Sequence, residues 1–535
     1  MREILFHDFA ISPTTWVHLA SLLIIALFFK FNRFWSLRNV DLLAIILLAP
    51  GLVLLDYGQN KPQPTTEMIG YTWLFTVAGV LLIRMLLDPM MVRRPLLEPN
   101  LSLGGMIFLT VCLFVFLMVK VVTVKPSNEN MMASGEVQVR RLKPVIDSEP
   151  KTIQPLPPLS TQFEPQDKRP AEQPDSTQPV DSTTQPKLPV AIADQPTTES
   201  GGDLAAPKLV TEPDAISSAK TPASDPPLPE RKSLSDEERL SRLGPGYWLV
   251  RALPVLATPI YRDDDQLPKM SAKEKESLFV SRTILILAHL AVVLGLIANG
   301  YRHFGNLSTG VAAGLLYLLL PYTAIYVGWV THVLPAAFLT WAIYFYRRPL
   351  VAGMFIGLAC GTVYYPVFLL TLWISFYWQR GLWRFLSGYA SLIGLLIVVT
   401  AFYATNMTDF IDKFRSMSGF IFPTDLPGGF WGLLDGNFRV YRITVLAAHI
   451  ALCGSFALWP ARKNLGTLLS CSTAVMLSTQ FWAAFDGGTS IGWYLPLLLL
   501  TIFRPNLEDR VALSVLPDSW LGTRRLRVSK ITQAA

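Results

Sequence analysis

Charge is scarce in this chain: Asp, Glu, Lys and Arg together make up 16% of its 535 residues. A soluble domain carries about 25% charged residues, because it must cover its surface with groups that water solvates. Recognisable catalytic and metal motifs are missing as well. There is no HExxH, no paired CxxC, no Walker A loop and no GxSxG elbow, so zinc-protease, soluble nucleotide and serine-hydrolase chemistry lack support. The cysteines are few: Cys112, Cys360, Cys453 and Cys471. All lie inside apolar runs without CxxC spacing, so they read as small core residues and say nothing of a redox compartment. No cleavable signal peptide is evident, since the first apolar run continues into Lys30.

What fills the chain instead is apolar sequence. Hydrophobic residues make up 51% and the mean hydropathy is +0.37. They gather in runs such as 22–29, 42–55 and 285–297, and a span needs roughly 20 apolar residues to cross about 30 Å of hydrocarbon. The net charge of +7 does not point to nucleic acid, because the basic residues sit in short clusters between apolar runs. That is the positive-inside pattern of a membrane protein.

Five segments follow from composition. The first, 1–125, holds candidate spans at 15–31, 40–57, 69–87 and 103–124. Lys30, Arg33 and Arg38 follow the first span, and Arg93 and Arg94 follow the third. Basic loops face the cytoplasm, so the N-terminus and the end of the fourth span are expected outside. From 126 to 232 the chain turns rich in Pro, Thr, Ser, Gln and Asp. Stretches such as QPDSTQPVDSTTQP bury too little apolar surface to offset chain entropy, so a disordered, partly polyproline linker is expected.

The third segment, 233–280, opens on SLSDEERLSRL, with a Ser N-cap and following Glu residues that predict a short helix. It continues as GPGYWLVRALPVLATPIY, too broken by Pro254 and Pro259 to span, and suited to lie along the membrane surface. The fourth, 281–506, has candidate spans at 283–299, 310–330, 333–346, 385–405, 443–458, 465–482 and 493–503. Between them 350–362 and 367–378 read as two short helices meeting at Tyr364-Tyr365-Pro366. Arg302, Arg347, Arg348, Arg380, Arg384, Arg462, Lys463 and Arg504 all fall on one side. The opposite loops around Thr331, Tyr364 and Asp486 carry no Lys or Arg. The last segment, 507–535, is a basic tail expected inside. The fold expected is an all-α, polytopic transmembrane bundle of about 13 crossings with a long extracytoplasmic linker.

Few residues carry chemistry. Asp263, Asp264 and Asp265 stand just outside the membrane before the fifth span; clustered carboxylates of this kind bind a divalent ion, act as a base, or form a solvated turn. Asp486 lies in the outer loop FDGGTSIGWYLP, where acidic groups are either functional or turn caps. His332, in THVLP, reads as an interfacial histidine or a base. Arg439 and Arg442 flank Tyr441 at an outer mouth, placed to clamp a phosphate or to snorkel. Gly353, Gly357 and Gly361 form one helical stripe, which lets a neighbouring backbone approach closely.

The stretch LPYTAIYVGWVTHVLPAAFLTWAIYFYRRPLVAGMFIGLACGTVYYPVFLLTLW resembles the C-fold membrane glycosyltransferases, nearest to their alpha-mannosyltransferase branch. The closing GWYLPLLLLTIFRPN resembles that family's last helix, with Trp493 and Tyr494 as its terminal aromatic pair. The likeness covers 244–506. The family often has a histidine before that pair, where this chain has Gly492. The resemblance implies a polytopic enzyme using a polyprenyl-phosphate sugar, with a catalytic carboxylate in the outer loop after the first span. Here that place falls to Glu129 or to Asp263, Asp264 and Asp265. His332, Arg439, Arg442, Asp486, Trp493 and Tyr494 become its substrate-binding candidates. The first block, RNVDLLAIILLAPGLVLL included, resembles bacterial membrane proteins and implies no chemistry.

Two functions are therefore expected: a glycosyltransferase at the extracytoplasmic face of a bacterial inner membrane, or a non-catalytic membrane protein, transporter or envelope anchor. Partners are the lipid bilayer and, in the first case, the lipid-phosphate donor. A transporter should show internal repeats or ionisable groups at mid-membrane, and neither is evident. Topology is directly testable. Single cysteines at Ser176 and Ser529 should label with an impermeant maleimide from opposite faces of oriented vesicles. Labelling of both from one face would overturn the assignment.

Overall fold

A computed structural model describes residues 12–60, 63–90, 99–123, 244, 246, 272–402, 404, 406–417, 429–434, 440–460, 463–483 and 491–505. The linker 126–232, nearly all of the juxtamembrane segment before 272 and the tail 507–535 lie outside these residues. Among the described residues the chain is helical throughout, with no strand. In hydrocarbon every backbone polar group must be satisfied internally, and a helix does that within one segment.

The first block contains α1 (Pro13–Phe28), α2 (Leu37–Asn60), α3 (Pro64–Leu87) and α4 (Leu103–Thr123). Ser12 caps α1 by accepting from the Thr15 amide at 3.1 Å, and Pro13 occupies the first turn, where no amide partner is needed. The short connection after Asn60 folds α3 back onto α2. The second block runs through α5 (Ala272–Asn299), α6 (Leu307–Leu319), α7 (Pro321–Ile325), α8 (Val330–Tyr344) and α9 (Pro349–Thr362). It continues with α10 (Leu370–Tyr377), α11 (Leu382–Phe402), α12 (Met407–Met417), α13 (Gly429–Leu433), α14 (Tyr441–Leu458), α15 (Leu465–Trp482) and α16 (Ile491–Phe503).

One expected span is not a single helix. The run 310–330 breaks at Leu320, whose backbone is extended (φ −60°, ψ 133°) ahead of Pro321. Proline lacks an amide hydrogen and disfavours helical backbone in the residue before it, so α6 ends there and α7 is a single short turn. The expected pair of short helices around Pro366 is present as α9 and a 3₁₀ turn, Tyr365–Leu369, leading into α10.

Among the described residues six helices are long and apolar enough to cross a membrane: α2, α3, α4, α5, α11 and α14. Their outward faces are apolar, as with Phe108 on α4, Phe402 on α11 and Leu458 on α14. Such surface is costly in water and at home in lipid. By contrast, α15 and α16 are buried on nearly every side. Buried hydroxyls on α15 bond back to the helix's own carbonyls, Thr473 to Leu469 at 2.8 Å and Thr479 to Met476 at 2.6 Å. That satisfies them without a partner helix.

The two blocks, separate in sequence, belong to one compact unit (1–146 with 231–535). Helix α4 packs on α6, and α3 packs on α15. Phe28 meets Phe503 edge-on at 5.9 Å, and the Lys120 ammonium donates to the Ala324 carbonyl at 2.6 Å. A buried ionic network closes the same junction. The Arg84 guanidinium grips both oxygens of Asp41, at 2.9 and 3.1 Å, and one oxygen of Asp88 at 2.8 Å. The other Asp88 oxygen accepts from Arg504, just past α16. All of these side chains are nearly or fully buried.

The glycine stripe has its partner in α11. A Cβ on Gly353 would run into the Phe385 carbonyl, one on Gly361 into Leu396, and one on Gly388 of α11 into the Leu350 carbonyl. At Gly353 and Gly388 backbone rests on backbone, which only glycine permits. Gly394, also on α11, has nothing within 4 Å of such a Cβ. Gly353→Leu and Gly388→Leu should each cost at least the ~1–3 kcal/mol of an overpacked core, because a carbonyl cannot rotate away. Gly394→Leu should melt like wild type. Thermal unfolding in detergent reads the difference; equal midpoints for all three would show that α9 and α11 do not pack this way.

Candidate functional site

The N-terminal end of α16 and the C-terminal end of α15 meet the start of α8 and the turn after α9. Four of the sequence candidates, His332, Arg442, Trp493 and Tyr494, lie here. His332, in the first turn of α8, is buried, and its Nδ1 pairs with the Tyr322 hydroxyl at 2.8 Å. Its ring lies 4.7 Å from Trp329 and 5.5 Å from Tyr326. Trp493 donates its indole N–H to the Thr331 carbonyl at 2.9 Å and stacks on Tyr365 at 4.8 Å. Tyr365 in turn meets Trp482 edge-on at 5.6 Å. Arg442, in the first turn of α14, is buried and donates Nε–H to the Trp482 carbonyl at 2.8 Å. It does not snorkel; its guanidinium is held inside the protein.

Gly492 makes the approach possible. A Cβ there would stand 2.7 Å from the Tyr322 hydroxyl and 3.0 Å from the Cβ of His332. Absence of a side chain at 492 therefore lets a histidine from a different helix press against α16.

Polar atoms are left over at this end. The Tyr494 hydroxyl, the Trp482 indole nitrogen and the Gln480 amide nitrogen are buried with no hydrogen-bond partner among the described residues. Buried polar groups are nearly always paired, so three orphans near one helix junction mark a place where polar contacts remain to be made. Chemically, the cluster offers aromatic faces, a buried guanidinium and unpaired donors, a set suited to hold a sugar ring or a phosphate.

The remaining candidates, Glu129, Asp263, Asp264, Asp265, Arg439 and Asp486, lie outside the described residues. Two residues of the juxtamembrane segment that holds the three aspartates, Gly244 and Gly246, are described. The Gly244 amide donates to the Thr362 carbonyl at 3.1 Å and the Gly246 amide to the Gly361 carbonyl at 2.6 Å. The juxtamembrane stretch is thus tied to the end of α9, next to Tyr364 and Tyr365. Among the described residues no group of three or more His, Cys, Asp or Glu side chains is placed to hold a metal ion.

Sequence reasoning missed Tyr322, Tyr365, Gln480, Trp482 and a second buried histidine, His449. His449 Nδ1 pairs with the Ser478 hydroxyl at 2.8 Å, and its Nε2 lies 3.6 Å from the Cys453 sulfur. The four-residue spacing of His449 and Cys453 was visible as one helical face, but Ser478 comes from another helix. A surface cavity of about 720 Å³ lined by Trp378, Arg380, Trp383 and Arg384 lies at the far end of α10, away from this cluster.

The chain is an integral membrane protein built of packed helices. No family model, curated protein or solved structure matches it.

The orphaned hydroxyl separates structure from function. Tyr494→Phe should leave the melting temperature unchanged within about 0.5 kcal/mol of stability, since no bond is lost. Tyr322→Phe should lose about 1–3 kcal/mol, because it strips the buried His332 nitrogen of its partner. A Tyr494→Phe protein markedly less stable than wild type would mean the hydroxyl has a partner.

Proposed function

We propose that this protein transfers a sugar from a polyprenyl-phosphate donor to an acceptor at the extracytoplasmic face of a bacterial inner membrane. The observation that carries the reading is the convergence of His332, Arg442, Trp493 and Tyr494 at one end of the bundle. The chain leading to Asp263 starts from that same end, at Gly246. In this reading the phosphate leaving group departs with its bonding electron pair and is met by Arg442 and Arg439. One of Asp263, Asp264 and Asp265 takes the acceptor's proton as its oxygen bonds to the anomeric carbon, with a divalent ion bound if the three carboxylates recruit one. His332, Trp493, Tyr494 and Asp486 orient the sugar.

The topology belongs to the same proposal: about 13 crossings, N-terminus and disordered linker outside, basic tail inside. Two features support it. The start of α2, the end of α3 and the end of α16 meet through Arg84, Asp88 and Arg504, the side assigned inward by charge. The aromatic cluster sits at the opposite end of α16. A 13-residue helix is only about 20 Å long against about 30 Å of hydrocarbon, so the cluster lies sunk below the outer surface, within reach of a lipid-borne donor.

A second reading, a non-catalytic anchor that displays the linker, draws on the fact that the rings of the cluster stack on one another and are buried. One assay separates the two. Purified full-length protein in liposomes is offered radiolabelled polyprenyl-phosphate sugars and a lipid-linked glycan acceptor. The triple variant Asp263→Asn, Asp264→Asn, Asp265→Asn should transfer roughly 100-fold or more slowly than wild type, the usual worth of a general base. Wild-type rates in the triple variant would remove the base assignment. No transfer by wild type from any such donor would leave the anchor.

A further inference from the structure

Arg38 stands beside the ionic network without sharing in it. It is 4% exposed, and its one hydrogen bond is from a terminal nitrogen to the Arg504 carbonyl at 3.3 Å. Its Nε and its other terminal nitrogen have no partner among the described residues. Asp41, one turn along α2, attracts Arg38, but both its oxygens are bonded to Arg84, and the guanidiniums of Arg84 and Arg504 repel Arg38. Arginine keeps its charge even when buried, so it cannot escape by losing a proton. A buried guanidinium that shares its nearest carboxylate with a second arginine, and has no hydrogen bond to it, is under-compensated. Arg38 also stands in the first turn of α2, the positive end of the helix dipole.

The surroundings say what the anion is attached to. Immediately before Arg38, Phe31, Phe34 and Trp35 are exposed, Trp35 at 85%. Phe31 and Phe34 each meet Phe29 edge-on, at 5.0 and 5.3 Å, which fixes them as a projecting corner. Aromatic side chains exposed at the end of a span sit at headgroup level.

We propose that Arg38 is the anchor of a phosphate-binding site at the junction of the two blocks, and that its ligand is the phosphodiester headgroup of an anionic phospholipid seated against the 31–35 corner. The headgroup touches α2 directly and the end of α16 through Arg504. It therefore clamps the first block to the second. The site lies at the opposite end of α16 from the aromatic cluster and is independent of the transferase reading.

The test uses the full chain, purified in neutral detergent and stripped of lipid. Thermal unfolding is followed with added phosphatidylglycerol, phosphatidylcholine or inorganic phosphate, for wild type, Arg38→Met and Arg38→Lys. Phosphatidylglycerol should raise the wild-type midpoint by several degrees, by preferential binding to the folded state, and phosphatidylcholine should not. Arg38→Met, nearly the same shape without the charge, should lose the response, and Arg38→Lys should keep part of it. Should Arg38→Met fail to fold, native mass spectrometry of wild type and Arg38→Lys decides: wild type should retain phosphatidylglycerol and Arg38→Lys should retain at least tenfold less tightly held lipid. Equal responses in wild type and Arg38→Met overturn the site. A full response to inorganic phosphate alone overturns the lipid as its source. Absence of any bound anionic lipid and of any stabilisation in wild type overturns both.

Discussion

The bundle depends on one carboxylate. Asp88 accepts from Arg84 on its own helix and from Arg504 at the end of the last one, and Arg84 carries the link on to Asp41. Removing one member of such a buried set leaves its partners charged and unpaired, at a cost of about 3–5 kcal/mol. The hydrophobic effect cannot do the joining, because lipid tails are as apolar as leucine and gain nothing from releasing a helix face. Interhelical hydrogen bonds and close packing must hold the two blocks together, and this network concentrates the hydrogen bonding at one junction.

From that junction α16 acts as a strut. Its C-terminal end is held by Arg504, and its N-terminal end carries Trp493 and Tyr494 into the aromatic cluster. Helix α15 runs alongside, buried nearly all round, and it brings Gln480 and Trp482 to the same end. One helix thus joins the ionic end to the residues proposed to hold the sugar. The glycine contact between α9 and α11 does similar work for Tyr365, since it fixes the end of α9 from which the Tyr364-Tyr365-Pro366 turn departs. Gly244 and Gly246 rest on that end through backbone hydrogen bonds.

Much of this was legible in residue order. Apolar runs located most of the spanning helices to within five residues at either end, since hydrocarbon leaves a lone segment no other way to satisfy its backbone; α5 begins eleven residues before the expected 283, in the charged stretch AKEKES that hydropathy passes over. The glycines at 353, 357 and 361 announced a close approach, and Pro366 announced a turn. The break at Leu320 was missed although Pro321 stands in plain view, because hydropathy across the position stays high and outweighed the proline in the reading. Of the site candidates, His332 and Arg442 were picked for chemistry alone and Trp493 through the resemblance of its helix. Their partners Tyr322, Tyr365 and Trp482 looked like any other interfacial aromatics.

What the sequence determined by itself is the class: a helical membrane protein, the places of most of its apolar helices, and the sign of charge on each loop. Those follow from local properties, the transfer of a segment from water to lipid and the backbone limits of proline and glycine. The pairing of helices was decided only in the tertiary structure. In water a helix betrays its buried face by an apolar stripe, but in lipid both faces are apolar and the pattern is nearly silent. Which arginine meets Asp88, which is left beside the network, and which histidine fills the space at Gly492 depend on contacts between residues more than 100 apart, and no run of neighbours encodes those.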